Sequence, residues 1–460
     1  VAIDVRLDPV GGNIEERAAL TVEAQGTSTL RFRLSEELVV ERSTVDEGVV
    51  EHRRSGPDIV VSLDPPIAGR RTISFVVSGR PMRGPDPRVR PERALLGPWD
   101  AWYPALANTW GPATVTIRAP KGWGVIAPGS PVGTPANGVW SWKTAKPVRT
   151  VAIAGGPGLE LTTTQVLGTT LRILGATGRS ARRAEIADRL RDGLAWLSGA
   201  LAPYPFDGFN LALIPDAEAR ARAGGFLAVA ADVPVENASD GADLLSGQWF
   251  GERLAGDGPW IEAWASWQSV VFARDRALPL PADLIRLRRA YFELLSGDVP
   301  LARAAADTPE AVIRGKGSAA PDMLRLSVDD RSFFAALRHL FERPVGAPIR
   351  LADVREAIEK ESQRNLARPF DDWFQGRGAP ELDAAIRTFP AAGGGWRVDL
   401  TVVQKSGSYA IPVEVVFHGP GEQHREVVTL DAAQFQAVYD LPFEPLRVEL
   451  DPNRKIFRRP

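Results

Sequence analysis

The chain contains no cysteine, two methionines and four histidines in 460 residues. The first absence excludes disulfides, thiolate nucleophiles and cysteine-ligated metals. The four histidines are His52, His339, His418 and His424, too few and too scattered for imidazole-rich metal chemistry. No charge of one sign dominates: 55 Lys and Arg stand against 57 Asp and Glu, a formal net charge of −2. A dedicated nucleic-acid binder shows a basic excess, so no nucleic-acid partner is expected. No apolar run reaches the ~18 residues that a membrane-crossing helix needs, so no transmembrane span is predicted. What is present is ordinary: 44% hydrophobic and 24% charged residues, enough apolar material for real cores. The length implies about two to four domains. Arginine far outnumbers lysine and alanine is abundant, which we read as compositional bias and not as a site.

Residues 1–157 read as β. Segments 2–8, 18–24, 58–63, 72–78, 114–118 and 151–155 alternate or run apolar, with Gly, Pro and Asp between them. From about 158 to 175 the strand pattern continues, and then the period changes. Ile186, Leu190, Leu194, Leu197 and Leu201 recur at helical spacing. Residues 209–214 form a buried strand candidate, and 225–231 another. Helical patterns dominate from about 240 to 388, with faces at Trp260, Ile261, Trp264, Trp267 and Val271, at Phe333, Phe334, Leu337 and Leu340, and at Val354 and Ile358. The run Ala391-Ala392-Gly393-Gly394-Gly395 reads as a linker. Clean alternation returns at 396–403, 410–417, 426–430 and 446–450. The expected division is 1–157, 158–390 and 395–460. The expected fold class is multidomain α and β: an N-terminal antiparallel β-saddle or sandwich, a central α+β domain and a small C-terminal β-sandwich-like domain.

The segment Asp243-Leu244-Leu245-Ser246-Gly247-Gln248-Trp249-Phe250-Gly251 resembles a known motif with its chemistry replaced. Zinc aminopeptidases of the aminopeptidase N-like (membrane alanyl aminopeptidase) metallopeptidase family carry His-Glu-x-x-His followed by Gln-Trp-Phe-Gly. Further landmarks resemble the same family in order: Trp102-Tyr103-Pro104, Tyr204-Pro205 before a strand, Trp260-Ile261-Glu262-Ala263, Lys316-Gly317, Met323-Leu324-Arg325, Phe333 to Leu337, Phe370-Asp371-Asp372-Trp373-Phe374 and Gly378-Ala379-Pro380. The resemblance covers nearly the whole chain. It implies a β-saddle, a thermolysin-like (gluzincin-type) domain and a smaller β domain, without the large helical C-terminal domain of many members. The chain begins at Val1 and not Met. From that, and from relatives that are often exported, we expect a removed leader or anchor and a periplasmic or extracellular location.

A catalytic zinc needs three protein ligands and an open position for water. His-x-x-x-His sets two imidazoles one helical turn apart, and the intervening Glu serves as general base. The resemblance places Asp243 at the first His, Leu244 at the Glu and Gly247 at the second His. The third-ligand position falls at or near Ala263, and the adjacent Glu262 points off the ligand direction on a helix. Arg222 falls at the family's amine-binding Glu and Arg314 at its oxyanion-stabilising Tyr. One carboxylate, Asp243, does not make a zinc site, so no metal, no cofactor and no catalytic residue is expected. The chain reads as a catalytically degenerate, non-enzymatic member.

Two readings of the cleft stand side by side. Arg222, Arg314, Asp243 and Glu262 are either ion-paired and solvated charges or the lining of an anion-binding cleft. Leu244 with Trp264 or Trp267 is expected to fill the former metal cavity, and Gly247 is read as a helix-interior glycine with a crowding neighbour. Glu262, Trp264 and Trp267 are the candidate cleft-lining residues. Gln248-Trp249-Phe250-Gly251 is read as structural, with its aromatics packing the core. Asp240 is read as a helix cap. The functional alternatives are a peptide- or protein-binding scaffold, a structural subunit of a larger assembly, and a zinc-dependent aminopeptidase or altered hydrolase with residual activity. Trp99, Trp102 and Trp110 are either an exposed docking patch or core.

Overall fold

A computed structural model describes residues 1–215, 220–294 and 297–459. By internal contacts the chain forms two compact units. One comprises Val1–Ser198, Pro203–Arg253 and Pro344–Gly346, and the other Gly199–Ala202, Leu254–Arg343 and Ala347–Pro460. The expected fold class is found: a large N-terminal sheet domain, a central helical part and small C-terminal sheets.

In the first unit, strand Asn13–Arg33 pairs antiparallel with Asp58–Gly79 along nearly its whole length. Segments 58–63 and 72–78, predicted as two strands, are therefore the two ends of one. The register slips between Ala24 and Thr29, beside Gly26 at φ +65°. These strands form the middle of a ten-stranded sheet in which Ala2–Asp8 also pairs parallel with Thr114–Arg118. Period two carries Ile3, Val5 and Leu7, and Ile14, Ala18 and Leu20, to the buried face. Glu16 falls in the same buried series. Of the three tryptophans considered as a patch, Trp102 is buried and donates its Nε1–H to Val151 O at 3.3 Å, whereas Trp99 is 69% exposed. Trp102 thus belongs to the core.

A hairpin, Leu159–Val166 with Thr169–Ala176, continues into parallel strands Gly208–Ile214 and Phe226–Ala230. The short strand Ala221–Ala223 closes the edge. Every residue of Gly208–Ile214 is buried, as a central parallel strand requires. Helix α1 (Ser180–Ala200) crosses between them and buries Ile186, Leu190, Leu194 and Leu197, the face read from the spacing. Helix α2 (Ala238–Leu245) packs on α1 through glycine: a Cβ at Gly193 would come 2.9 Å from Ala242 Cα.

The second unit holds α3 (Ile261–Asp275), α4 (Ala282–Glu293), α5 (Ala320–Arg325), α6 (Asp330–Phe341) and α7 (Leu351–Ser362). Two π-helical turns, Ala311–Lys316 and Asp371–Gln375, interrupt the series. Two three-stranded sheets follow, and Phe417 and Tyr439 from opposite sheets pack at 5.1 Å between ring centres. The glycine run at 393–395 is not a linker. Leu382–Pro390 and Trp396–Gln404 pair antiparallel, and Ala391 N–H donates to Gly395 O at 3.0 Å across the turn. Gly394 and Gly395 sit at φ +89° and +85°, which explains the residue type. Among the described residues no helix is long and apolar enough to cross a membrane.

Candidate functional site

Helix α2 carries the first two motif positions. Asn237 caps it, accepting from Ser239 N–H at 2.8 Å, while Asp240 accepts from Asn237 N–H at 3.1 Å. This reciprocal box stabilises the helix start and fits the capping role read for Asp240. Residues 239–245 are all buried. The helix then stops, because Ser246 turns extended (ψ 141°) and Gly247 takes φ +92°. Gly247 and the Gln248-Trp249-Phe250-Gly251 segment, expected on the helix, instead form the turns beyond it. Positions 243 and 247 are therefore not one turn apart on a helical face. Asp243 is buried and pairs with Arg220 (Oδ2 to Nη2, 2.8 Å), and Leu244 is buried too.

The turn after α2 is tied to the Ala221–Ala223 and Phe226–Ala230 hairpin by one side chain. Gln248, wholly buried, accepts from Gly225 N–H at 2.8 Å, and its amide reaches Phe226 O at 3.4 Å. Trp249 meets Tyr204 edge-on at 5.5 Å, and Phe250 is wholly buried. These contacts account for the intact tetrapeptide without any chemistry. Arg222 lies on the same hairpin. Its guanidinium pairs with buried Glu252 at 3.3 Å and lies over two glycines. A Cβ at Gly247 would come 2.6 Å from Arg222 Cζ, and one at Gly251 2.8 Å from Arg222 Nη2. The crowding neighbour expected at Gly247 is thus Arg222. Arg220 and Glu252 were not legible as partners, although Glu252 directly follows the motif.

In the second unit, Glu262 is half-buried in the first turn of α3, where a carboxylate suits the helix dipole. Ala263 is buried with Gly317 against it: a Cβ at Gly317 would come 2.8 Å from the Ala263 methyl. Trp264 and Trp267, read as cleft lining, are both wholly buried and 5.7 Å apart edge-on. Trp264 stacks with Phe333 and with Phe374, each at 6.3 Å, and Trp267 donates to Asp322 Oδ1 at 3.3 Å. They are core residues of this unit. The landmarks at Phe333 and Phe370 to Phe374 are parts of that same aromatic core.

Arg314 lies on the π-helical turn. Its Nη1 is 2.8 Å from both Asp283 and Glu310, and its Nε donates to Ser266 Oγ at 3.1 Å. Two residues on, Lys316 is wholly buried. Its ammonium donates to Gly376 O at 2.9 Å and lies 3.5 Å from Asp298 Oδ2. Burial pulls the Lys316 pKa down, against the opposing pull of Asp298. Asp298 also accepts from Tyr291 OH (2.9 Å) and Gly378 N–H. The Lys316-Gly317 and Gly378 landmarks thus meet in a structural knot.

These residues do not fit a catalytic zinc. Gly247 has no side chain, and its conformation and its arginine neighbour leave no room for an imidazole. Leu244 and Ala263 offer no lone pair, and Asp243 is engaged by Arg220. Among the described residues no three His, Asp or Glu side chains converge. His418 and His424, on one hairpin as read, pair with Glu449 and Glu426 at 2.9 Å each. His339 lies 2.9 Å from Glu361, and His52 Nδ1 is 2.9 Å from Ser43 Oγ. The anion-binding reading meets an obstacle, because Arg222 and Arg314 both face carboxylates.

By sequence, no protein family and no curated protein matches the chain. By fold, it is similar to an M1 zinc metallopeptidase from Deinococcus radiodurans, with TM-score 0.70 and 20% identity over 83% of this chain and 94% of that one. A point variant of an M1 zinc metallopeptidase from the same organism, bound to a Tyr-Ser-Ala substrate, gives 0.68 and 21% over the same shares. A point variant of a two-domain M1 zinc metallopeptidase bound to L-tryptophan gives 0.68 and 21% over 83% and 95%. At this identity the likeness is one of fold.

Proposed function

We propose that this chain is a zinc-peptidase fold without zinc chemistry, serving as a peptide- or protein-binding or scaffold component. One observation carries the reading. The position of the second metal ligand is a glycine outside the helix, at φ +92°, covered by the Arg222 guanidinium. A hydrolase of this fold needs an imidazole there, one turn from its partner. Separate replacements at Leu244, Ala263 and Arg314 support the same reading, since they would serve as base, third ligand and oxyanion donor. The retained landmarks support it from the other side. Gln248, Trp249, Lys316 and Phe374 each have a packing or hydrogen-bonding duty that outlasts catalysis.

The test is metal stoichiometry. The protein is purified without a metal-affinity column, exposed to excess Zn²⁺, desalted and assayed for bound zinc by mass spectrometry. The expected result is well under about 0.2 equivalents, as for a fold lacking its ligand set. Close to one tightly held equivalent, with chelator-sensitive hydrolysis of aminoacyl substrates, would overturn the proposal and return the chain to the aminopeptidases.

A further inference from the structure

In the first unit, far in sequence from the segment around Asp243, the ten-stranded sheet opens a cavity of about 410 Å³, within the range of small-molecule sites. One wall is the buried face of strand Asn13–Arg33 at Leu20 and Val22, just before the register slip at Ala24. The other includes Tyr103, Trp110, Val148 and Arg149. Both aromatic walls are braced. Tyr103 OH accepts from Val151 N–H at 3.1 Å, and a Cβ at Gly346 would come 2.5 Å from Trp110 Cδ1, so that loop backs the indole.

Arg149 is the arginine of the lining. Arg88, Arg93, Arg183 and Arg222 in the same unit each face a carboxylate, and buried Arg172 is held by Gly129 O, Asn210 Oδ1 and Ser130 Oγ. Among the described residues Arg149 takes no carboxylate partner, and its Nε, shielded from solvent, has no acceptor. A shielded donor without an acceptor is unfavourable unless something else supplies one. Glu23 also borders the cavity, but it alternates with Val22 and is exposed on the outer side of its strand.

We infer that this cavity is a binding site for a small apolar or aromatic carboxylate, with Arg149 taking the carboxylate and Trp110, Tyr103 and Leu20 enclosing the apolar body. A guanidinium matches a carboxylate in two parallel hydrogen bonds. Arg149 is the one cationic side chain among the described lining residues, and the Val1 amino group beside it already donates to Pro112 O; a single guanidinium suits a singly charged acid better than a phosphate, which calls for several cations. The terminal residue of a peptide and a free aromatic or fatty acid share this chemistry. The inference stands apart from the reading of the zinc positions and does not fail with it.

The test is calorimetric titration of the full chain with N-acetyl-phenylalanine, its amide, a blocked tripeptide ending in Phe carboxylate, and octanoate. The acid is expected to bind about 10- to 100-fold more tightly than the amide, the range for a charge-assisted hydrogen bond. Arg149→Gln removes that preference. Leu106→Trp, which adds bulk to the lining and keeps Arg149, weakens acid and amide together. Tighter binding of the tripeptide assigns the site to peptide termini, and tighter binding of octanoate to free acids. Equal affinity for acid and amide, a preference that survives Arg149→Gln in a folded protein, or no saturable binding of any probe overturns the inference. If Arg149→Gln does not fold, the acid–amide comparison on the parent chain and Leu106→Trp still decide it.

Discussion

The Arg222 guanidinium lies directly over the Cα of Gly247, the residue that the resemblance aligns with the second ligand of a zinc motif. A side chain at position 247 has no room while Arg222 keeps this place. The arginine needs a neighbour without a side chain, and the glycine takes a left-handed conformation that ends α2 early. The glycine at 247 and the arginine at 222 are thus one packing arrangement, with Glu252 holding the charge.

Gly247→Ala is expected to destabilise the fold by about 1–3 kcal/mol, combining left-handed strain with the clash on Arg222. In the Arg222→Ala background the clash is absent, so the two changes are expected to be non-additive by at least about 0.5 kcal/mol. Denaturant unfolding of the four proteins measures this. Strict additivity would show that the arginine does not press on Gly247.

Gln248→Leu leaves the buried Gly225 N–H without its 2.8 Å acceptor. A loss of about 1–3 kcal/mol is expected. Amide exchange localises the effect: the Gly225 amide is expected to lose protection before the strand Gly208–Ile214 does. Unchanged protection at Gly225 would remove the role given to Gln248 as the tie between hairpin and turn.

Glu16 is a carboxyl in a wholly apolar series, with both oxygens shielded and without a hydrogen-bond partner among the described residues. Burial holds its pKa well above the ordinary 4.5. Above that value the folded chain keeps a proton that the unfolded chain releases. Stability therefore falls as pH rises from the ordinary value up to the folded one, and is flat beyond. Glu16→Gln removes this dependence. It is expected to melt higher than the parent near neutral pH, by the equivalent of about 1–3 kcal/mol, with the gain shrinking toward about pH 4. A gain of the same size at both ends would mean that Glu16 is not titrating.

Introducing the zinc-motif residues is not expected to create a zinc site. Asp243→His, Leu244→Glu and Gly247→His together place the second imidazole on a turn and not one helical turn from the first. Below about 0.2 equivalents of zinc is expected in a variant whose circular dichroism matches the parent. Stoichiometric, chelator-resistant zinc would show that the helix re-forms through residue 247.

Much of the fold was legible. Alternation located four of the ten strands of the N-terminal sheet, Ala2–Asp8, Asn13–Arg33, Asp58–Gly79 and Thr114–Arg118, and the spacing of Ile186 to Leu197 found α1, because burial imposes those periods directly. The glycine run at 393–395 was misread, since the same residues serve a flexible tether and a left-handed hairpin turn. Only the pairing of Leu382–Pro390 with Trp396–Gln404 separates the two. The site was half legible: the residues at the motif positions were visible, their partners were not. Arg220 reaches Asp243 across 23 positions, and Asp283 reaches Arg314 across 31, separations that carry no local pattern.

The sequence by itself determined which functional groups this protein can bring to the motif. The side chains of a leucine, a glycine and an alanine ligate no zinc in any conformation, because they carry no donor atom. Tertiary structure decided the rest. It decided that α2 stops before Gly247, that the arginines are neutralised by carboxylates distant in the chain, and that Trp264 and Trp267 pack the core and not a cleft wall. Side-chain chemistry is a property of each residue alone, whereas charge pairing, burial and helix termination depend on which distant residues the fold brings within a few ångströms.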